Sequence, residues 1–165
     1  MKTFLRTLIL LAVIVWLGGL LFFPFVAAIT FSALAPNTHD AGSIVGACLR
    51  VVDKEGLVCG VLLILLLLAG RVRGLYTRSV FPAVGAVVVM LALTSITHYS
   101  ILPRMETYRL AVGGTIDAVP KDDPNRAAFD RLHETSVKVE EGVMLAGLLF
   151  VVLLARAESV SKQPA

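Results

Sequence analysis

Charge is scarce in this chain: 16% of its 165 residues are Asp, Glu, Lys or Arg, against 57% hydrophobic, and mean hydropathy is +0.84. A soluble domain carries ~25% charged residues. A globule this small has too much surface to hide the apolar excess, so a soluble enzyme and a disordered tail are both excluded. Cysteine is almost absent, with Cys48 and Cys59 alone, which excludes a disulfide-stapled secreted module. Both fall on one expected helix, ~16 Å apart along its axis and beyond the ~7 Å reach of a disulfide. The chain holds three histidines and no H-x-x-x-H, Cys-x-x-Cys or Glu-x-x-His spacing. A phosphate-binding glycine loop, a nucleophile elbow and a dinucleotide fingerprint are missing as well. Asp117, Asp122 and Asp123 lack calcium-loop spacing and read as a solvated turn and helix cap.

What the chain does have is long apolar runs. Four stretches are free of Lys, Arg, Asp and Glu: residues 7–39, 56–70, 79–103 and 142–155. A membrane-spanning helix needs ~20 mostly apolar residues. The first and third runs meet that length. The second and fourth fall short and must be completed by flanks that carry charge: Arg50, Asp53, Lys54 and Glu55, and Glu134, Lys138, Glu140 and Glu141. The expectation is an all-α, integral membrane four-helix bundle in one domain, with helices at about 4–34, 42–70, 79–112 and 124–156. Helices 2 to 4 then extend beyond the outer face. The first apolar run exceeds the ~7–15 residues of a signal peptide, which argues for a retained helix. Pro24 is expected to kink it. Asp123-Pro124 reads as an N-cap and first-turn pair, Gly113-Gly114 as a helix end, and residues 159–165 as a polar tail. Pairs of glycines four apart, Gly42/Gly46 and Gly56/Gly60, suggest close helix packing on helix 2.

Basic residues favour cytoplasmic segments. Lys2, Arg6, Arg71, Arg73, Arg78, Arg156 and Lys162 fall in three short segments, 1–6, 71–78 and 156–165, that contain a single acid. In 35–55 and 103–141 the bases are diluted by acids. Both termini are therefore expected on the cytoplasmic side of a bacterial inner membrane. Helices 2 and 4 then run in parallel, and their charged flanks meet at one depth on the outer side. The sequence pI of about 9.1 is explained by these anchoring bases and implies no nucleic-acid partner; the bilayer is the expected partner, with a homo-oligomer or second membrane protein left open.

Ionisable groups at membrane depth cost ~2.5–3.5 kcal/mol on insertion scales, and they normally pair or line a polar cavity. Arg50, Asp53, Glu55, His133 and Glu140 are the candidate ligand-binding cluster. Local pairs (Arg50 with Asp53, Glu134 with Lys138) and cross-helix pairs (Arg50 with Glu140, Lys54 with Glu141) are available to it. A structural ion-pair network and a cavity that binds a small ligand or relays protons remain alternatives. His39, His98 and His133 all fall on the expected outer side. His98 and His133 are the candidate ligands of an alternative haem or copper site, since imidazole is a common metal ligand.

The segments VWLGGLLFFPF (15–25), HDAGSIVGACLR (39–50), THYSILPRMETYR (97–109) and FDRLHETS (129–136) resemble the bacterial uncharacterised four-helix membrane family related to eukaryotic transmembrane protein 205. The resemblance spans about residues 8–156 and implies an integral membrane protein without an assigned activity. A more distant similarity, through the Trp16-Leu17-Gly18 pattern, reaches HemJ-type protoporphyrinogen oxidases and the membrane part of copper-resistance protein D. The histidine that such proteins carry in the first helix is missing from residues 4–31 here, so those haem ligands do not transfer. The reading is a non-enzymatic membrane protein with a polar cluster at the outer end of its bundle; a redox-active haem- or copper-handling protein is the alternative.

Overall fold

The computed structural model describes residues 2–158; the polar tail at 159–165, with Lys162, lies outside the described residues. All described regular structure is helical: α1 (Lys2–Ala33), α2 (Thr38–Val72), α3 (Phe81–Ile96), a π-helical turn (Thr97–Ile101), α4 (Leu102–Ala111), a short 3₁₀ turn (Ile116–Ala118) and α5 (Pro124–Glu158). The α3 helix, π turn and α4 form one continuous rod, so four rods make the bundle. Three of them (α1, α2 and Phe81–Ala111) are long and apolar enough to cross a membrane. The α2 helix reaches that standard although its charge-free run is short, because a span tolerates the charges at its ends. The α5 helix does not reach it, since its apolar half covers little more than residues 142–155.

Local sequence explains the boundaries. The α2 helix starts at Thr38, earlier than expected, because the Asn37 side chain accepts the Asp40 N–H at 3.2 Å and satisfies an otherwise orphaned donor. Asp123 does the same for α5, its Oδ1 accepting from Asn125 N at 2.8 Å and Arg126 N at 3.1 Å, with Pro124 at the first helical position. The α4 helix stops at Gly113 and Gly114, whose φ values of 81° and 93° suit only glycine. The α1 helix runs through Pro24 as one unbroken element.

Burial follows one stripe per rod. On α1, Ile9, Ala12, Trp16 and Leu20 face inward at helical spacing, while Leu10, Ile14, Phe22, Phe25 and Ile29 are exposed. Exposed apolar residues in such density have no place in water and a natural one in lipid. The α1 helix packs mainly on α2, and α3 packs on both α2 and α5. Gly56 and Gly60 seat the Trp16 indole: a side chain at Gly56 would collide with Trp16 Nε1, and one at Gly60 would meet Leu91 and Trp16. Gly147 on α5 gives the same close approach to Leu17 and Met90. Gly42 and Gly46 face open space, so one of the two expected glycine pairs packs and the other does not.

Polar contacts tie the two ends. At one end Lys2 Nζ donates to Gly74 O at 3.1 Å, Arg6 pairs with Glu158 at 3.7 Å, and Thr77 N donates to Ala157 O at 3.0 Å. Tyr76 lies in this same loop, where burial and the Glu158 carboxylate push its hydroxyl up to about 12 against the opposing pull of Arg6. At the other end Thr38 Oγ1 donates to Asp117 Oδ2 at 2.6 Å, and Arg126 pairs with Asp117 at 3.5 Å.

Candidate functional site

The π turn is built by sequence. Pro103 has no N–H to give Tyr99 O, and its ring crowds that carbonyl, so the ladder cannot close in the α pattern there. The helix widens instead, and Leu102 N donates to Thr97 O, five residues back. Such turns recur at functional sites. Consecutive residues in a helix point ~100° apart, and here Thr97 and His98 address different neighbours: Thr97 lies beside Glu140 of α5, and His98 beside Asp53 of α2.

The result is a cluster of polar side chains from three rods inside an otherwise apolar core. His98 Nδ1 stands 3.4 Å from Asp53 Oδ2, and the Asp53 side chain is 1% exposed. Thr94 and Thr97 are fully buried, and Glu140 Oε1 is shut away from the surface. Asp53 of α2 and Glu140 of α5 thus both turn carboxyl oxygens into the interior of the bundle. Asp53 Oδ1 and Oδ2, Thr94 Oγ1, Thr97 Oγ1, His98 Nδ1 and Glu140 Oε1 all lack a hydrogen bond of good geometry to another protein group. Trp16 Nε1, one turn away along α2 at Gly56, shares that condition. Buried polar atoms are nearly always paired, so a knot of this kind requires a chemical explanation.

Of the residues singled out by sequence, Asp53, His98 and Glu140 come together. Arg50 is exposed on the far side of His98, and Glu55 turns toward α1, its Oε2 near the Gly19 backbone. His133 is exposed and stacked on Phe129 with ring centroids 6.4 Å apart, while His39 stands at the start of α2. Arg50 pairs with neither Asp53 nor Glu140, and neither Lys54–Glu141 nor Glu134–Lys138 forms an ion pair among the described residues. Nor do those residues contain a group of three or more His, Cys, Asp or Glu side chains able to hold a metal ion. Sequence reading missed Thr94 and Thr97, apolar-looking members of a hydrophobic run. The one available signal was Pro103 inside that rod.

Chemically, the arrangement can hold and pass protons. Imidazole nitrogens and carboxyl oxygens each accept or give a proton according to state, and a threonine hydroxyl donates and accepts at once. His98 links the cluster to the surface, since it also lines a groove of about 490 Å³ with Arg50, Lys54, Tyr99, Pro103 and Glu106.

The chain matches the family described as "Domain of unknown function (DUF4149)" over residues 11–111, a stretch that includes Asp53 and His98 and stops short of Glu140. No curated protein and no solved structure matches it, and nothing in these comparisons connects it with transmembrane protein 205 or HemJ-type oxidases.

Proposed function

The chain belongs to the DUF4149 family, a domain of unknown function, and we propose that in this member Asp53, His98 and Glu140 form a proton-exchanging site within an integral membrane bundle. One observation carries the reading: the 3.4 Å approach of His98 Nδ1 to a fully buried Asp53 carboxyl, inside a knot of buried polar atoms that lack hydrogen bonds of good geometry. Ionisable side chains shut inside a membrane bundle are costly to retain and typically mark proton or substrate paths. Access is from one side. On the other side of Trp16 the core is apolar, with Cys59, Leu63, Leu67, Val87 and Met90 buried, which suits a site that takes up and returns protons at one face rather than a through-pore.

The same reading keeps the orientation argued from charge. Lys2, Arg6, Arg71, Arg73, Arg78 and Arg156 all gather at the end opposite the cluster, which supports a cytoplasmic position for that end in an inner membrane and an outer position for the site.

Labelling with dicyclohexylcarbodiimide, an apolar reagent that modifies protonated carboxyls, tests the proposal on protein reconstituted in liposomes. Peptide mass spectrometry should find the adduct on Asp53 or Glu140. An unlabelled Asp53 and Glu140, in protein that retains its helicity, would reduce the cluster to a structural tie between α2, α3 and α5.

A further inference from the structure

The groove on the far side of His98 has features that a proton site does not need. Arg50 and Lys54 stand one turn apart on α2, both exposed, and neither has an ion-pair partner within 4.0 Å among the described residues. The acid on the opposite wall, Glu106, is taken up by Arg109, whose Nε and Nη2 donate to its two oxygens at 2.9 and 2.6 Å. The groove therefore presents two unpaired cations against one acid that already holds Arg109. Tyr99 beside them is 70% exposed, a ring with a polar tip of the kind that gathers at membrane interfaces.

Depth and apolar continuity narrow the occupant. From Lys54 to Arg71, the first base at the opposite end of α2, is seventeen residues or ~26 Å, close to the thickness of the hydrocarbon core. Lys54 and Arg50 thus sit at headgroup level when the other end sits at the opposite headgroups. The cation face of α2 continues toward that end as Val61 and Leu65, both exposed. On the neighbouring rod Val88 and Ala92 are exposed on the side toward α2. The two rods run antiparallel in a register fixed by Asp53 against His98 and Gly60 against Leu91, so the two apolar stripes lie side by side below the groove. A polar head with paired cations, above two parallel apolar tracks, matches an anionic diacyl lipid.

We infer that this groove is a binding site for an anionic phospholipid, with Arg50 and Lys54 holding its phosphate and its acyl chains lying along Val61–Leu65 and Val88–Ala92. The inference uses residues other than the buried acids and stands whether or not those acids exchange protons.

Native mass spectrometry of the purified protein, titrated separately with phosphatidylglycerol and phosphatidylcholine, tests it. Wild type should retain one phosphatidylglycerol in preference to phosphatidylcholine. The R50Q/K54Q double variant should bind it more weakly by roughly fivefold per cation removed, the factor expected for one Lys or Arg near an anionic headgroup. The charge-matched R131Q/K138Q variant should bind as wild type does. Equal loss in both double variants would mean bulk electrostatics and overturn the site, as would equal retention of the two lipids. Displacement by an equal concentration of inorganic phosphate would assign the cations to free phosphate and overturn the lipid. A photoreactive phosphatidylglycerol on the wild-type chain supplies an arm that needs no variant to fold: crosslinks within 50–65 and 88–106 support the site, and crosslinks confined to other segments overturn it.

Discussion

The seat of Trp16 on Gly56 gives the sharpest test of the packing, because nearby glycines of the same helix serve as controls. A Cβ at Gly56 would collide with the indole Nε1 and stand 2.8 Å from Cε2, and the indole is 1% exposed with no free volume to enter. Overpacking of this kind costs about 1–3 kcal/mol. Alanine in place of glycine inside a helix returns about 1 kcal/mol. Gly56→Ala should therefore destabilise the bundle by a net ~0–2 kcal/mol. Gly42→Ala and Gly46→Ala, which meet nothing within 4 Å, should be neutral or stabilising by up to ~1 kcal/mol each. Combining Gly56→Ala with Trp16→Phe, a ring without the colliding N–H edge, isolates the contact. In that background the glycine substitution should become neutral or favourable, so the cycle should show a coupling of about 1–3 kcal/mol. Unfolding in mixed micelles, followed by helical circular dichroism, reads all of these. If Gly56→Ala stabilises equally in the Trp16 and Phe backgrounds, the indole does not rest on Gly56, and the α1–α2 packing described above is wrong.

Other outcomes follow from single contacts. Gly114→Ala forces a side chain into φ near 93° at the end of α4 and should lower stability by roughly 1–2 kcal/mol, with its thermal midpoint as the readout. Asp123→Ala removes the acceptor for two N–H groups at the start of α5 and should cost about 1 kcal/mol in the same assay. Tyr76 should ionise near pH 12, and that late phase of an ultraviolet titration should vanish in Tyr76→Phe. The folded protein keeps that proton where the unfolded chain, with an ordinary tyrosine near 10, has lost it. Stability should therefore fall as pH rises between about 10 and about 12. Pro103→Ala allows the rod to close as an α-helix, so it should retain helicity and lose carbodiimide reactivity at Asp53 or Glu140 through displacement of His98.

Composition and run length were enough to read the four-rod, all-helical membrane architecture, because each rod is marked by its own apolar stretch and by local stop signals such as Asp123-Pro124 and Gly113-Gly114. The candidate site was legible only in part. Asp53 and Glu140 stand out in sequence as acids at the edges of apolar runs. Thr94 and Thr97 do not, since a threonine in a hydrophobic run carries no signal until a neighbouring helix is in place. His98 acquires its position from a π turn set by Pro103, five residues downstream, and no periodicity rule for an α-helix anticipates that phase shift. The expected pairing of Arg50 with Glu140 fails for a simple reason of direction: the cations on α2 point out to the groove, and Asp53 alone of that flank points in.

The central claim is that His98 and Asp53 act on each other inside the bundle. Nuclear magnetic resonance of ¹⁵N-histidine-labelled protein in lipid nanodiscs tests it most directly, since the chain has three histidines to assign and the readout is the imidazole itself. The account predicts that Asp53→Asn changes the His98 nitrogen shifts and their pH response while His39 and His133 stay as they were. His98 signals identical in wild type and Asp53→Asn across the titration would contradict it.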